Sequence, residues 1–415
     1  IAAEAHYDEA VAVAWIDSVL TAGIFQASYE RARWAGEAAD VAIRRVPGKE
    51  SEGGATRLLR ARLESNLAAV LQRMGRAVDA IPLSEAALAT FEEVLGDHHP
   101  LVHRTLCTLG NAAIDMQDLD QAKIYLDRAL AIAREVSGDE HPSVAALLGN
   151  RASIDEANKK FEDALLRLDD AVKILERAVG PDHNELGHAL THRASIEESL
   201  RRYDDAARDF RRARTILERD PKANAPQIGS LLNNFATMNL NQGALAEAEV
   251  HYRAAMDAFT TAFGPEHRHV ATAQANLGEV MIKAGSVEAG LEQLGEAIVV
   301  LRKRPEAREN LAYALMFAGK TMVDAGELAP AQERLREALL VYGLLPQPEP
   351  IEVATTRFTL ARSMVLLRQD RAEALALAEA ALAALPKPDE KKPDEDADAL
   401  RAEIRRWLED ERRRR

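Results

Sequence analysis

The sequence predicts an all-α chain: a solenoid of about nine antiparallel helix pairs closed by a C-terminal capping helix. Three observations predict it. The first is composition, with 47% hydrophobic residues, 29% charged and only 5% aromatic. Much of the hydrophobic share is alanine, which favours helix, and scarce Phe, Tyr and Trp leave no large aromatic core. The second is a register. Gly96, Gly138, Gly180 and Gly264 stand 42, 42 and 84 residues apart, and His99, His141, His183 and His267 repeat those intervals. The third is a set of small-residue columns. One runs Ser28, Ala80, Ala122, Ala164, Ala206, Ala248, Gly290, Ala331 and Ala374. Another, seven residues on, runs Ala35, Ala87, Ala129, Ala171, Ala213, Ala255, Ala297, Ala338 and Ala381. Small residues at i and i+7 share a helix face on which a neighbouring helix can come close.

Taken in order, residues 1–48 form a divergent first pair turning at TAGIFQAS (21–28). The irregular stretch VPGKESEGGAT (46–56) sets it apart. Residues 55–304 hold six regular 42-residue units, whose inner turns run from RMGRAVDA (73–80) to KAGSVEAG (283–290). Loops of the form LGDHHP (95–100), SGDEHP (137–142), VGPDHN (179–184) and FGPEHR (263–268) separate the pairs. Their glycines are expected to close the preceding helix in the left-handed conformation. Pro100 and Pro142 suit the first turn of the next helix, where an N–H is not needed. Residues 305–386 hold two further units, turning at DAGELAPA (324–331) and LRQDRAEA (367–374). A charged linker, 387–397, is expected to be mobile. Residues 398–415 supply the capping helix, with Leu400, Ile404, Trp407 and Leu408 at helical spacing, and a basic tail. One pair cannot bury its apolar stripe alone, whereas stacked pairs build a continuous core.

Several function classes are excluded. The net charge is −14, against the basic face a sequence-independent nucleic-acid binder needs. A single cysteine, Cys107, excludes an internal disulfide framework and a Cys-rich zinc site. It is expected to be a small half-buried hydrophobe at the groove edge. No apolar run approaches the roughly 18 residues of a membrane span. A start at Ile1 rather than Met predicts a fragment or processed product. The phosphate-binding GxxxxGK[ST] and GxGxxG loops, the GxSxG elbow and the calcium loop DxDxDG are all missing. No catalysis and no cofactor are therefore expected of this chain.

The three small-residue columns, counting Ala68, Gly110, Ala152, Ala194, Ala236, Gly278 and Gly319 in the first helices, resemble the tetratricopeptide repeat. The 42-residue length and the LGxxHP loops resemble its kinesin-light-chain type. The likeness covers about 23–385. One departure is the second-helix aromatic, kept as Phe210 and Tyr252 but replaced by Ser84 and Leu168. The resemblance implies a right-handed superhelix whose first helices line a concave groove. With the small first-helix residue as position eight, it implies that positions two, five, six and nine face that groove.

The groove candidates follow from that implication. Position two supplies Arg62, Arg104 and His188. Position six supplies Asn66, Thr108, Asn150, His192, Asn234 and Asn276, and position nine supplies Asn111, Ser153, Ser195, Thr237 and Glu279. Asn weakens a helix interior, so its recurrence implies a compensating contact. In the family such an amide bonds the backbone of an extended peptide; the alternative is an Asn tying adjacent helices together. Arg62 and Asn66 resemble half of a carboxylate clamp, which the following units do not complete. His188 and His192, at i and i+4, have a metal-ligand spacing but no third ligand nearby.

Position seven is apolar in Leu67, Leu109, Phe235 and Leu277 but charged in Arg151 and Arg193, with Asp155 and Glu197 four residues on. The spacing predicts i, i+4 ion pairs, either shaping a polar waist or simply solvated.

The expected function is a protein-interaction scaffold that captures an extended peptide or partner domain in its groove. No nucleic acid, membrane or metal is expected as partner, and a cytoplasmic location is. The layout from the first pair to the string Asp370–Asp410 resembles the C-terminal repeat region of bacterial, notably myxobacterial, serine/threonine kinases. It implies a regulatory or recruiting arm with the kinase domain upstream. The alternatives are a stand-alone adaptor and the sensor arm of another effector, such as a caspase-like protease or a transcription regulator.

Overall fold

The computed structural model describes residues 2–25, 28–46, 54–387 and 394–413. The expectations for the stretch 46–56 and for the linker 387–397 lie largely outside these residues. Among them are nineteen α-helices and no strand. The chain divides into two compact units, Ile1–Arg219 and Asp220–Arg415.

The first unit holds α1 (Ala2–Leu20), α2 (Tyr29–Ile43), α3 (Gly54–Arg73), α4 (Ala77–Leu95), α5 (Pro100–Asp115), α6 (Leu119–Ser137), α7 (Pro142–Ala157), α8 (Phe161–Ala178), α9 (Asn184–Ser199) and α10 (Tyr203–Leu217). The second holds α11 (Ala225–Asn241), α12 (Leu245–Phe263), α13 (Arg268–Lys283), α14 (Val287–Arg302), α15 (Arg308–Ala325), α16 (Leu328–Tyr342), α17 (Pro350–Leu366), α18 (Arg371–Ala384) and the capping helix α19 (Glu395–Arg413). Within each unit an odd helix packs on the even helix after it, and that even helix packs on the next odd one. The fold is an all-α solenoid of stacked pairs.

The small columns explain the stacking. Ala80, Ala122, Ala164, Ala206 and Ala248 are fully buried, as are Ala68, Ala152, Ala194 and Ala236 opposite them. Approach is closest at Gly278 and Gly290, where a Cβ on either would lie 2.6–2.7 Å from the other's carbonyl oxygen. Alanine there would force the helices apart. At the C-terminal end Ile404 and Leu408 are buried, and Trp407 meets Phe358 edge-on with ring centroids 5.6 Å apart.

The interpair loops differ from expectation in one respect. Gly96, Gly138 and Gly264 do have positive φ, but ψ is 160–164°, not the helical value of a left-handed cap. This region is essentially reserved for glycine. It throws the chain outward, so that the histidine three residues on reaches the start of the next helix. There His99, His141, His183 and His267 act as N-caps: each Nδ1 accepts the backbone N–H two residues later, at 3.1–3.3 Å. Histidine is not among the usual capping residues. The fixed histidine column was thus the visible signal for a role that residue preferences alone do not suggest.

Candidate functional site on the first helices

In the first unit α1, α3, α5, α7 and α9 touch in sequence, so their outward residues form one surface. The structure sorts the groove candidates on it into two groups. Asn66 is buried and used internally. Its Nδ2 donates to the Ile16 carbonyl at 2.9 Å, and its Oδ1 accepts from Arg104 at 3.0 Å. It therefore ties α1, α3 and α5 together, the helix-tying alternative. Arg62 pairs with Asp17 at 3.1 Å, and His192 Nε2 meets Glu156 at 3.0 Å. The hydroxyls of Thr108, Ser153 and Ser195 donate to carbonyls of their own helices at 3.2–3.4 Å.

Asn111 on α5 and Asn150 on α7 are different. Both are half-buried, and neither side chain has a hydrogen-bond partner among the described residues. An amide presents two donors and an acceptor with two lone pairs, a set that matches a peptide unit on both its sides. Beside them, Arg104 has no carboxylate within ion-pairing distance, and desolvation and the charge of Arg62 lower its pKa. The pKa of His188 is also lowered, by desolvation and then by the charges of Arg73 and His183. Asp17, Arg73 and Glu156 were missing from the sequence reading. The last two sit at first-helix positions thirteen and twelve, beyond the groove positions two, five, six and nine.

In the second unit the amides form a chain. Asn276 donates to Asn233 Oδ1 at 3.2 Å, and Asn233 donates to Asn234 Oδ1 at 3.5 Å. Thr237 shares a hydrogen bond with the Tyr252 hydroxyl at 2.8 Å. Glu279 is buried, accepting from the Tyr313 hydroxyl at 2.9 Å and pairing with Lys283 at 2.8 Å. Neighbouring helices therefore already use most of the polar groups here.

The charges at position seven are corrected by the structure. Neither expected i, i+4 pair forms. Arg151, 4% exposed, bonds Asp127 of α6 at 2.5 Å, and Asp155 accepts from Arg167 of α8 at 2.5 Å. Arg193 takes both Asp209 oxygens, at 2.6 and 3.1 Å, and Asp169 at 2.9 Å. Position seven points between two even helices, and these supply nearer partners than the same helix one turn on. Nor are the groups solvated: Glu197 is 9% exposed, and its Oε2 has no partner. Burial first, and then the charge of Asp209, raise the Glu197 carboxyl to about 7.

Cys107 is a half-buried thiol that burial pushes up to about 12, which leaves it unreactive. Among the described residues no cluster of three or more His, Cys, Asp or Glu could hold a metal, and no helix is long and apolar enough to cross a membrane.

The family model of the tetratricopeptide repeat matches residues 59–135, 101–177, 143–219 and 227–303. No curated protein matches the chain. Among solved structures, the apo form of the quorum sensor NprR from B. thuringiensis aligns with a TM-score of 0.59 at 15% identity, over 90% of this chain and 98% of its own. A Rap protein complexed with Competence and Sporulation Factor aligns at 0.54 and 12% identity, over 99% and 100%. Kinesin light chain TPR-like repeats of Podosopora anserina share 18% identity over 59% of this chain and 96% of theirs, with a TM-score of 0.31. At these identities the first two likenesses speak to fold alone.

Proposed function

The chain belongs to the tetratricopeptide repeat family, and on that premise we propose that its first unit captures an extended segment of a partner protein along α3–α9. The observation that carries this reading is the pair of unspent amides, Asn111 and Asn150, on adjacent first helices. Asn costs helix stability, and neighbouring helices compensate Asn66 but not these two. A bound backbone would compensate both. Arg104 and His188 flank the same surface and tune the affinity. The Rap protein solved with Competence and Sporulation Factor supports a binding role for stacked pairs of this length.

The test is Asn111→Ala combined with Asn150→Ala. Each change removes a free amide and a poor helix former, so the variant should melt no lower than the wild type. Capture of the partner on an affinity resin should fall at least about tenfold, the loss of two hydrogen bonds. Undiminished capture would remove the site from this surface.

The finer reading is that the captured partner is a kinase substrate or regulator and that the chain is the cytoplasmic recruiting arm of a serine/threonine kinase. The layout of residues Asp370–Asp410 supports it. The coding DNA upstream of Ile1 tests it: an in-frame domain with a glycine-rich loop, a strand lysine, HRD and DFG is expected. A start codon just before Ile1 would instead make the chain a stand-alone adaptor.

A further inference from the structure

Most helix-interior glycines of the second unit have a packing reason: a Cβ at Gly229, Gly278, Gly290 or Gly319 would strike a neighbouring helix. Gly295, in the middle of α14, does not. A Cβ there would meet nothing within 4 Å. A glycine inside a helix is destabilising relative to alanine, so its cost is unexplained by the fold itself. What Gly295 does is widen a cleft of about 280 Å³ between the even helices α14 and α16.

The other walls of this cleft are chemically distinct. Ile298 forms a buried apolar floor, with Val299 half-exposed beside it. At one wall Arg302 holds Glu337 in a two-point pair at 2.8 and 2.6 Å, so those charges are spent on each other. Arg334 also lines the cleft, half-buried, and has no hydrogen-bond or ion-pair partner among the described residues. Almost every comparable arginine of the stack is paired. Desolvation and the charge of Arg302 both act against the Arg334 guanidinium. A planar fork of donors in that position fits a carboxylate.

We propose that the cleft between α14 and α16 is a binding site for a carboxylate that carries a short branched apolar group. The Arg334 guanidinium takes the carboxylate, and the branched group lies over Gly295 against Ile298 and Val299. A side-chain carboxylate of Asp or Glu would leave that apolar floor uncovered. A chain-terminal residue or a free branched acid would cover it.

The experiment uses the full chain and saturation-transfer NMR titration. N-acetyl-L-leucine should bind, and N-acetyl-L-leucinamide, with the same shape and no charge, should not. Arg334→Gln should weaken N-acetyl-L-leucine about tenfold or more, the loss of a charge-assisted bond. Gly295→Leu fills the cleft and should abolish binding, while its melting temperature stays at or above that of the wild type. Equal binding of 4-methylpentanoate points to a free acid as the natural source, and weaker binding to a chain terminus. Failure of N-acetyl-L-leucine to bind, equal binding of the amide, or binding that survives both substitutions would overturn the proposal.

Discussion

Arg193→Leu is expected to lower the stability of the first unit by about 3–5 kcal/mol, with a fall in its melting midpoint on the order of 10 °C. Leucine is the residue that other units carry at the same position, as Leu67 and Leu109 do. Taken alone, the change therefore looks like a repair of the pattern. Its effect is destabilising because Arg193 is the common partner of Asp209 and Asp169 on the two flanking helices. The Asp209 side chain is only 7% exposed, and without the guanidinium its charge is stranded. Converting the site fully, with Arg193→Leu and Asp209→Leu together, should recover most of the loss, since a buried ion pair replaced by packed apolar residues is often neutral or better. Thermal melts of the single and double variants check both statements. An unchanged midpoint for the single variant would show that the network contributes nothing.

Glu197→Gln should act with a sign that depends on pH. The Glu197 carboxyl titrates near 7 in the folded chain, against 4.5 for the free group. A raised carboxyl favours the protonated folded state. Its contribution is fully present below the unfolded value, declines as pH rises from there, and is lost above about 7. Glutamine keeps the neutral shape at every pH. The variant should therefore match the wild type near pH 4.5 and exceed it at pH 8 by about 1–3 kcal/mol, the span set by the linkage of a shift of this size. The imbalance has a local origin. In the preceding unit Asp155 has Arg167 as its partner, and the residue 42 positions after Arg167 is Asp209. That one change of sign places three carboxyls, those of Asp169, Asp209 and Glu197, beside a single arginine. Parallel melts at the two pH values decide the matter, and an equal gain at both would contradict it.

How much of this was legible in the sequence depends on the range of each interaction. The nine pairs, their small interfaces and the capping helix follow from periods within a single unit, which the register of Gly, His and Ala displays directly. The site was legible only as a surface. Which of its amides are free depends on neighbours one unit away: Asn66 is consumed by Ile16 and Arg104, 50 and 38 residues distant. No spacing rule within one helix reports that. The same reason defeats the i, i+4 reading of Arg151, whose partner Asp127 belongs to the preceding helix. Four inner turns add a further case. Gln117, Lys159, Arg201 and Arg368 take the left-handed conformation that Gly75, Gly243, Gly285 and Gly326 hold elsewhere, imposed by the repeat geometry on residues that do not favour it.

The central claim, capture on the first-helix surface of unit one, is tested most directly by crosslinking from it. A photoreactive benzoylphenylalanine is placed at Ala146, exposed on α7 on the same face as Asn150, or at Leu166, exposed on α8. The account predicts a crosslinked partner from position 146 that disappears in the Asn111→Ala, Asn150→Ala background, and none from position 166. A partner crosslinked from position 166 but not from 146 would place recognition on the even helices and contradict the account.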